Sequence, residues 1–224
     1  MTDPTKGLKT LFQTERLVFR HVSDEADRDF IHDYLHSDPV NNVFSGPGLL
    51  RPSSVRDADE VVTLLKSAIL GVMICLPPAT ATENGTGNVA TRHYRPEDLT
   101  TIGYVWVTDA DGLLKQGDGV LGSGGNFAGS ADLGISIAEA HQGKGYGAEA
   151  INWAVDWSFR FARLHRIALV AVVFNERACA LYRRLGFKDE GRLRELQYHD
   201  RRWWDVICFS MLEHEWEELR GLKK

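Results

Sequence analysis

The chain has 224 residues, enough for one sizeable domain with its own core. With 43% hydrophobic and 25% charged residues it has an ordinary soluble, globular composition, and no disulfide or metal staple is required. Its net charge of -5 lacks the clustered positive excess that nucleic acid attracts, so neither DNA nor RNA is expected as a ligand.

No apolar run is long enough to cross a bilayer; the longest, "SAILGVMICL" at 67–76, has the length of a core segment. The opening "MTDPTKGLKT" has no apolar secretory region. Cys75, Cys179 and Cys208 are odd in number and form no CxxC, so they read as reduced thiols. A cytoplasmic location, with no membrane partner, is the expectation.

In chain order, "ERLVFRHV" (15–22) alternates and is β-branched, which predicts a first strand. "SDEADRDFIHDYLHSD" opens with a polar cap and an acidic turn. It sets Phe30, Ile31, Tyr34 and Leu35 at helical spacing. A second helix is expected from Ser53–Ser54, with Val61, Leu64, Leu65, Ala68 and Ile69 inward and Gly71 as its stop, before a buried strand "VMICL". Residues 77–98 and 109–130, rich in small and turn-forming residues, read as mobile insertions around a strand at 101–109. A strand at 131–139 then leads into a helix at 145–163. Its stripe is Ala148, Ile151, Val155, Phe159 and Ala162. The continuous apolar run "RIALVAVVF" (166–174) has the pattern of a strand covered on both faces. A short helix between Asn175 and Gly186 and two strands near 187–198 and 203–212 complete one α/β domain over 1–224.

Between the strand at 131–139 and the next helix lies "HQGKGYGAEA" (141–150). Glycines before a helix N-terminus let a bound phosphate approach free N–H groups at the positive end of the helix dipole. A plain tight turn would use the same residues. Two nucleotide motifs fail on spacing. A Walker A loop would need a hydroxyl after its lysine, and a dinucleotide fingerprint would need a glycine where Ala148 stands. Q-x-x-G-x-G, with Gln142, Gly145 and Gly147, fits better.

Asn175 and Tyr182, two helical turns apart, share a helix face. Taken alone, Asn175 would be a helix cap, and Tyr182 would pack beside Ala178, Leu181 and Leu185. Cys179 is adjacent but has no paired base to make it a nucleophile, His141 reads as a strand-end residue, and Trp203 and Trp204 read as sheet packing.

Taken together over 131–212, "ADLGISIAEAH", "QGKGYG", "ALVAVVF" and "NERACALYRRLGF" resemble the GNAT acyltransferase superfamily. The similarity is to its RimJ/RimL and spermidine acetyltransferase branch. "EGRLRELQYHDRRWWDVICFSML" is similar to the C-terminal strands of that branch, and "TERLVFRHVSDEAD" to its opening. The resemblance implies a mixed, mostly antiparallel twisted sheet flanked by helices and splayed at its central strands. It implies acetyl-CoA as co-substrate, no metal, and transfer of acetyl to a primary amine in a ternary complex. Ile135, Ser136 and Ile137 would line the pantetheine arm. Gln142, Gly143, Lys144, Gly145, Tyr146, Gly147 and Ala148 would hold the pyrophosphate, with Asn175 and Ala178 completing the cofactor site. Tyr182 would be the general acid, and Asp132 or, second, Glu139 the base.

The two insertions exceed what the branch carries and leave the acceptor open among a small-molecule amine, a polyamine and a protein N-terminus. A homodimer is also open. A reading from another class, an acyl-CoA-binding sensor or scaffold without turnover, would have no use for Tyr182.

Overall fold

Alternating side chains along the first three strands supply two cores, one on each face of a single sheet. In the computed structural model, which describes residues 8–23, 25–45, 50–78, 94–109 and 129–222, the first strand is β1 (Val18–His21). Leu17 and Phe19 enter one core, and Val18 enters the other. β2 (Leu70–Leu76) divides in the same way, with Val72 and Ile74 opposite Met73 and Cys75. β3 (Thr100–Asp109), β4 (Ser130–Ile137), β5 (Arg166–Val172), β6 (Lys188–His199) and β7 (Arg202–Leu212) complete a sheet of order β1-β2-β3-β4-β5-β7-β6. Every neighbouring pair is antiparallel except β4–β5.

The first helical segment, α1 (Glu25–Phe30), runs on into a π-helical stretch, Ile31–His36, closed by Ser37 N–H bonding His32 O at 2.9 Å. This wider turn keeps Ile31 and Leu35 fully buried but leaves Tyr34 63% exposed, so Tyr34 does not join the inward stripe that its spacing suggests. α2 (Pro39–Ser45) has no counterpart in the sequence reading, because "PVNNVFS" has weak helix propensity. Its signal is Asp38 before Pro39: Asp38 Oδ1 accepts from Val40 N–H at 2.9 Å, and proline occupies the first turn.

α3 (Val55–Ser67) begins in the expected place, on a capping box of Ser54 and Asp57, and buries Ala58, Val62 and Leu65 against the sheet. Gly71 does not stop it. The helix ends at Ser67, and Gly71 lies inside β2, where a Cβ would fall 1.9 Å from Leu65 O. The glycine is needed for the strand to pass directly under the helix backbone.

On the opposite face, α4 (Tyr146–Phe161) buries Ile151, Val155 and Phe159 against the strands. α5 (Glu176–Arg184) is capped by Asn175 and closed by Gly186 at φ 97°, as the sequence predicts. α6 (Glu213–Leu219) places Trp216 beside Phe159, with its indole N–H donating to Asp156 at 2.7 Å. β6 is an edge strand, and Trp203, on β7, is 59% exposed, with its ring against Tyr198 near the β6–β7 turn and outside the sheet core. Cys75, Cys179 and Cys208 are free thiols. Most of both proposed insertions lies outside the described residues. No described helix is long and apolar enough to cross a membrane.

Gly71→Ala is expected to destabilise the protein by about 1–3 kcal/mol, because a backbone oxygen cannot give way to a methyl group. Gly191→Ala, where an added Cβ meets nothing within 4 Å, should stay within about 0.5 kcal/mol of wild type. Urea denaturation of both variants measures the difference, and equal losses would contradict the packing described.

Candidate active site

β4 and β5 pair over only Ser130, Ala131 and Asp132, opposite Arg166, Ile167 and Ala168. Beyond that point β4 follows β3 as far as Ile137 opposite Gly103, while β5 follows β7 as far as Val172 opposite Val206. The sheet therefore opens into a V, and strand edges that would pair in a continuous sheet face each other across a gap.

The backbone direction within that gap follows from one bond. Ala138 N–H donates to Ile102 O at 2.9 Å, so it points toward β3. Backbone polar groups alternate sides along a strand. Ser136 therefore also bonds toward β3, while the N–H and C=O groups of Ile135 and Ile137 point into the V. The Ile137 carbonyl is taken by Gln142 Nε2 at 2.8 Å, which ties the strand end to the turn that follows. Ile135 and the Ile137 N–H are left facing the gap.

A cleft of about 760 Å³ fills the V. It is lined by Ile135, Ser136 and Ile137 from β4, by Gln142, Gly143, Gly145, Tyr146, Gly147 and Ala148 at the head of α4, and by Asn175, Ala178 and Tyr182 from α5. Gly143 and Gly145 adopt φ of 77° and 85°, and Gly145 is the N-cap of α4, a conformation that glycine reaches without strain. An added Cβ on Gly147 would meet nothing within 4 Å, so there the backbone borders open space. Lys144 does not line the cleft; its ammonium turns back to Ala140 O at 2.8 Å.

The glycine turn is held from outside by a residue that sequence reasoning passed over. Arg16 Nη1 donates to Lys144 O at 3.0 Å, Arg16 pairs with Glu149 at 2.7 Å, and its guanidinium lies over the Tyr146 ring. Thr14 Oγ1 donates to the same Glu149 carboxylate at 2.5 Å. Both residues fall in "TERL", at the segment quoted for its family resemblance, so the signal was present without its reason. Arg177, also unremarked, lines the cleft, and its guanidinium lies 3.8 Å from where a Gly143 Cβ would stand.

Asn175 meets its simpler expectation: its Oδ1 accepts from Ala178 N–H at 3.1 Å as a helix cap. Tyr182 packs its ring edge-on against Phe209 at 5.6 Å and lines the cleft, so it serves packing and cleft together. Burial, then the neighbouring Cys179, push its phenol up to about 12. Asp132 is buried in the paired foot of the V, and Glu139 is exposed in the turn after β4; neither lines the cleft. His141 does line it, with Nδ1 buried and unbonded among the described residues. Burial and the nearby Lys144 charge hold its pKa below the ordinary value, so the ring is neutral at pH 7.

A mixed sheet splayed at its one parallel pair, with a glycine turn and a helix N-terminus at the mouth, defines a class of proteins. The family model for the acetyltransferase (GNAT) domain matches residues 16–188, and the chain belongs to this family. Among curated relatives, the spermidine N(1)-acetyltransferase of Vibrio cholerae is 40% identical over 87 residues, which is 39% of this chain and 50% of that protein. The [ribosomal protein uS5]-alanine N-acetyltransferase of Escherichia coli is 33% identical over 84 residues, 38% and 43% of the two chains. The chain spans about half the length of the curated relatives it matches. The crystal structure of the Vibrio cholerae spermidine N-acetyltransferase with CoA and spermine superposes with a TM-score of 0.65 at 24% identity. It covers 91% of this chain and 99% of that one, a likeness of fold. Among the described residues no group of side chains could hold a metal ion.

The Tyr182 phenol should resist ionisation, since burial disfavours the phenolate. The difference in ultraviolet absorbance between wild type and Tyr182→Phe is expected to show little phenolate signal from Tyr182 at pH 11, where a phenol near 12 is only about one-tenth ionised. A Tyr182 titration centred near pH 10 would contradict the burial described.

Proposed function

We propose that this protein transfers an acetyl group from acetyl-CoA to a primary amine by direct attack. The observation that carries this reading is the open edge of β4 leading into the glycine turn, with Tyr182 on the facing helix. An extended pantetheine arm fits the V as an extra strand, bonding the Ile135 backbone and the Ile137 N–H. The turn from Gln142 to Ala148 suits a pyrophosphate: Gly143 and Gly145 are left-handed, Gly147 borders free space, and Arg177 brings positive charge. Asn175 spends its Oδ1 on the cap, which leaves Nδ2 to donate to the arm.

In the chemical step the neutral amine attacks the thioester carbon, a C–N bond forms and the C–S bond breaks. A strand N–H stabilises the developing oxyanion. Tyr182 hydrogen-bonds the sulfur and gives it a proton as charge develops there, and its phenolate recovers a proton from water. With its phenol near 12, Tyr182 stays protonated until the thiolate has largely formed. The amine proton leaves through water toward Asp132 or Glu139, while neutral His141 is an acceptor already inside the cleft.

Tyr182→Phe tests the assignment. Turnover with a good amine is expected to fall by roughly 10²–10⁴, with acetyl-CoA affinity little changed on the same preparation. Unchanged kcat would remove Tyr182 as the acid. Acetyl-CoA binding by wild type without turnover on any amine would favour the non-catalytic sensor.

A further inference from the structure

The part of the cleft lined by α2 and by the segment after β5 has a composition of its own. Phe44 from α2 and Phe174 after β5 both line it, with ring centroids 5.9 Å apart. Phe174 is backed by Trp204 at 5.0 Å, edge to face, and by His199 at 5.6 Å. Outside the lining, Gln197, a residue only 5% exposed, donates from Nε2 to Val43 O at 2.9 Å and ties the β6–β7 hairpin to α2. Asn41 is bonded to Ser136 Oγ at 3.0 Å and to Leu35 O at 3.1 Å. Among the described lining residues the one carboxylate is Glu176, which belongs to the first turn of α5 beside Arg177.

Resting on the acetyltransferase reading above, we propose that the acceptor is a small monoamine with an aromatic or branched apolar body, seated against the paired rings of Phe44 and Phe174. A polyamine carries several charges, and each one taken from water needs a partner that these walls do not offer. Aromatic faces instead suit a flat or branched apolar group, and they attract a single ammonium as it enters. Loss of water around that ammonium favours its neutral form, so the walls that select the acceptor also ready it for attack. The bond between Gln197 and Val43 holds α2, and with it Phe44, in place against Phe174.

The test is a steady-state comparison of 2-phenylethylamine, isoamylamine, spermidine and a short peptide with a free N-terminal alanine, each at saturating acetyl-CoA. Acetyl-CoA binding is measured by calorimetry on the same preparation. The two apolar amines are expected to exceed both spermidine and the peptide in kcat/KM by at least about tenfold. Phe174→Ala and Phe44→Ala should each raise KM for 2-phenylethylamine about tenfold or more and leave acetyl-CoA affinity within about twofold. Phe44 is 42% exposed, so its truncation spares the core and keeps the test readable if Phe174→Ala fails to fold. A preference for spermidine or the peptide, or an unmoved KM in Phe44→Ala, would overturn the inference while acetyl-CoA binding upheld the function. Loss of both acetyl-CoA binding and turnover in wild type would overturn the two together.

Discussion

Everything at the candidate site depends on how briefly β4 and β5 stay together. Three residues on each strand hold the two halves of the sheet in register, and then the strands part. A longer pairing would satisfy the backbone groups of Ile135 and Ile137 internally and leave no edge for a ligand. No pairing at all would leave the halves joined only by helices, and the cleft would have no fixed width. Exposed backbone polar groups in a half-buried strand are costly unless something bonds them. The open edge is thus a local cost in the free protein, placed where a bound arm could recover it.

The rest of the chain keeps that opening in shape. Gln142 fastens the end of β4, Asn175 caps the helix opposite, and Arg16 and Glu149 fasten the glycine turn from the N-terminal segment. Gln197 joins the β6–β7 hairpin to α2. The contacts that position the cleft therefore come from elements far apart in sequence. For this reason a change at Arg16 bears on a loop more than a hundred residues away.

Much of this was legible from residue patterns, and the limits have physical causes. The strands on either side of the V, the helix after "QGKGYG" and the cap at Asn175 each carry a local signal: alternation, a stripe, or a side chain that bonds nearby backbone. α2 was missed because tertiary contacts and an Asp-Pro start, more than propensity, hold "PVNNVFS" as a helix. Gly71 was misread because close passage of a strand beneath a helix looks, in sequence, like a helix stop. Trp203 was expected in the sheet but lies exposed near a hairpin tip, since β7 there runs past the end of β5 at Val206 and local alternation does not show where a neighbouring strand stops. The approach of Arg16 to the turn, and the gathering of Phe44, Phe174 and Trp204, are long-range facts with no local signature.

The central claim is that the inner edge of β4 is open in the free protein and is completed by the acetyl-CoA arm. Amide hydrogen exchange, resolved by residue with and without acetyl-CoA, tests it most directly. Ser136 and Gly134 should be protected in both states, because their amides face β3. Ile135 and Ile137 should exchange freely without the ligand and slow by about tenfold or more with it. Protection of Ile135 and Ile137 in the free protein, or no change there while acetyl-CoA binds, would contradict the account.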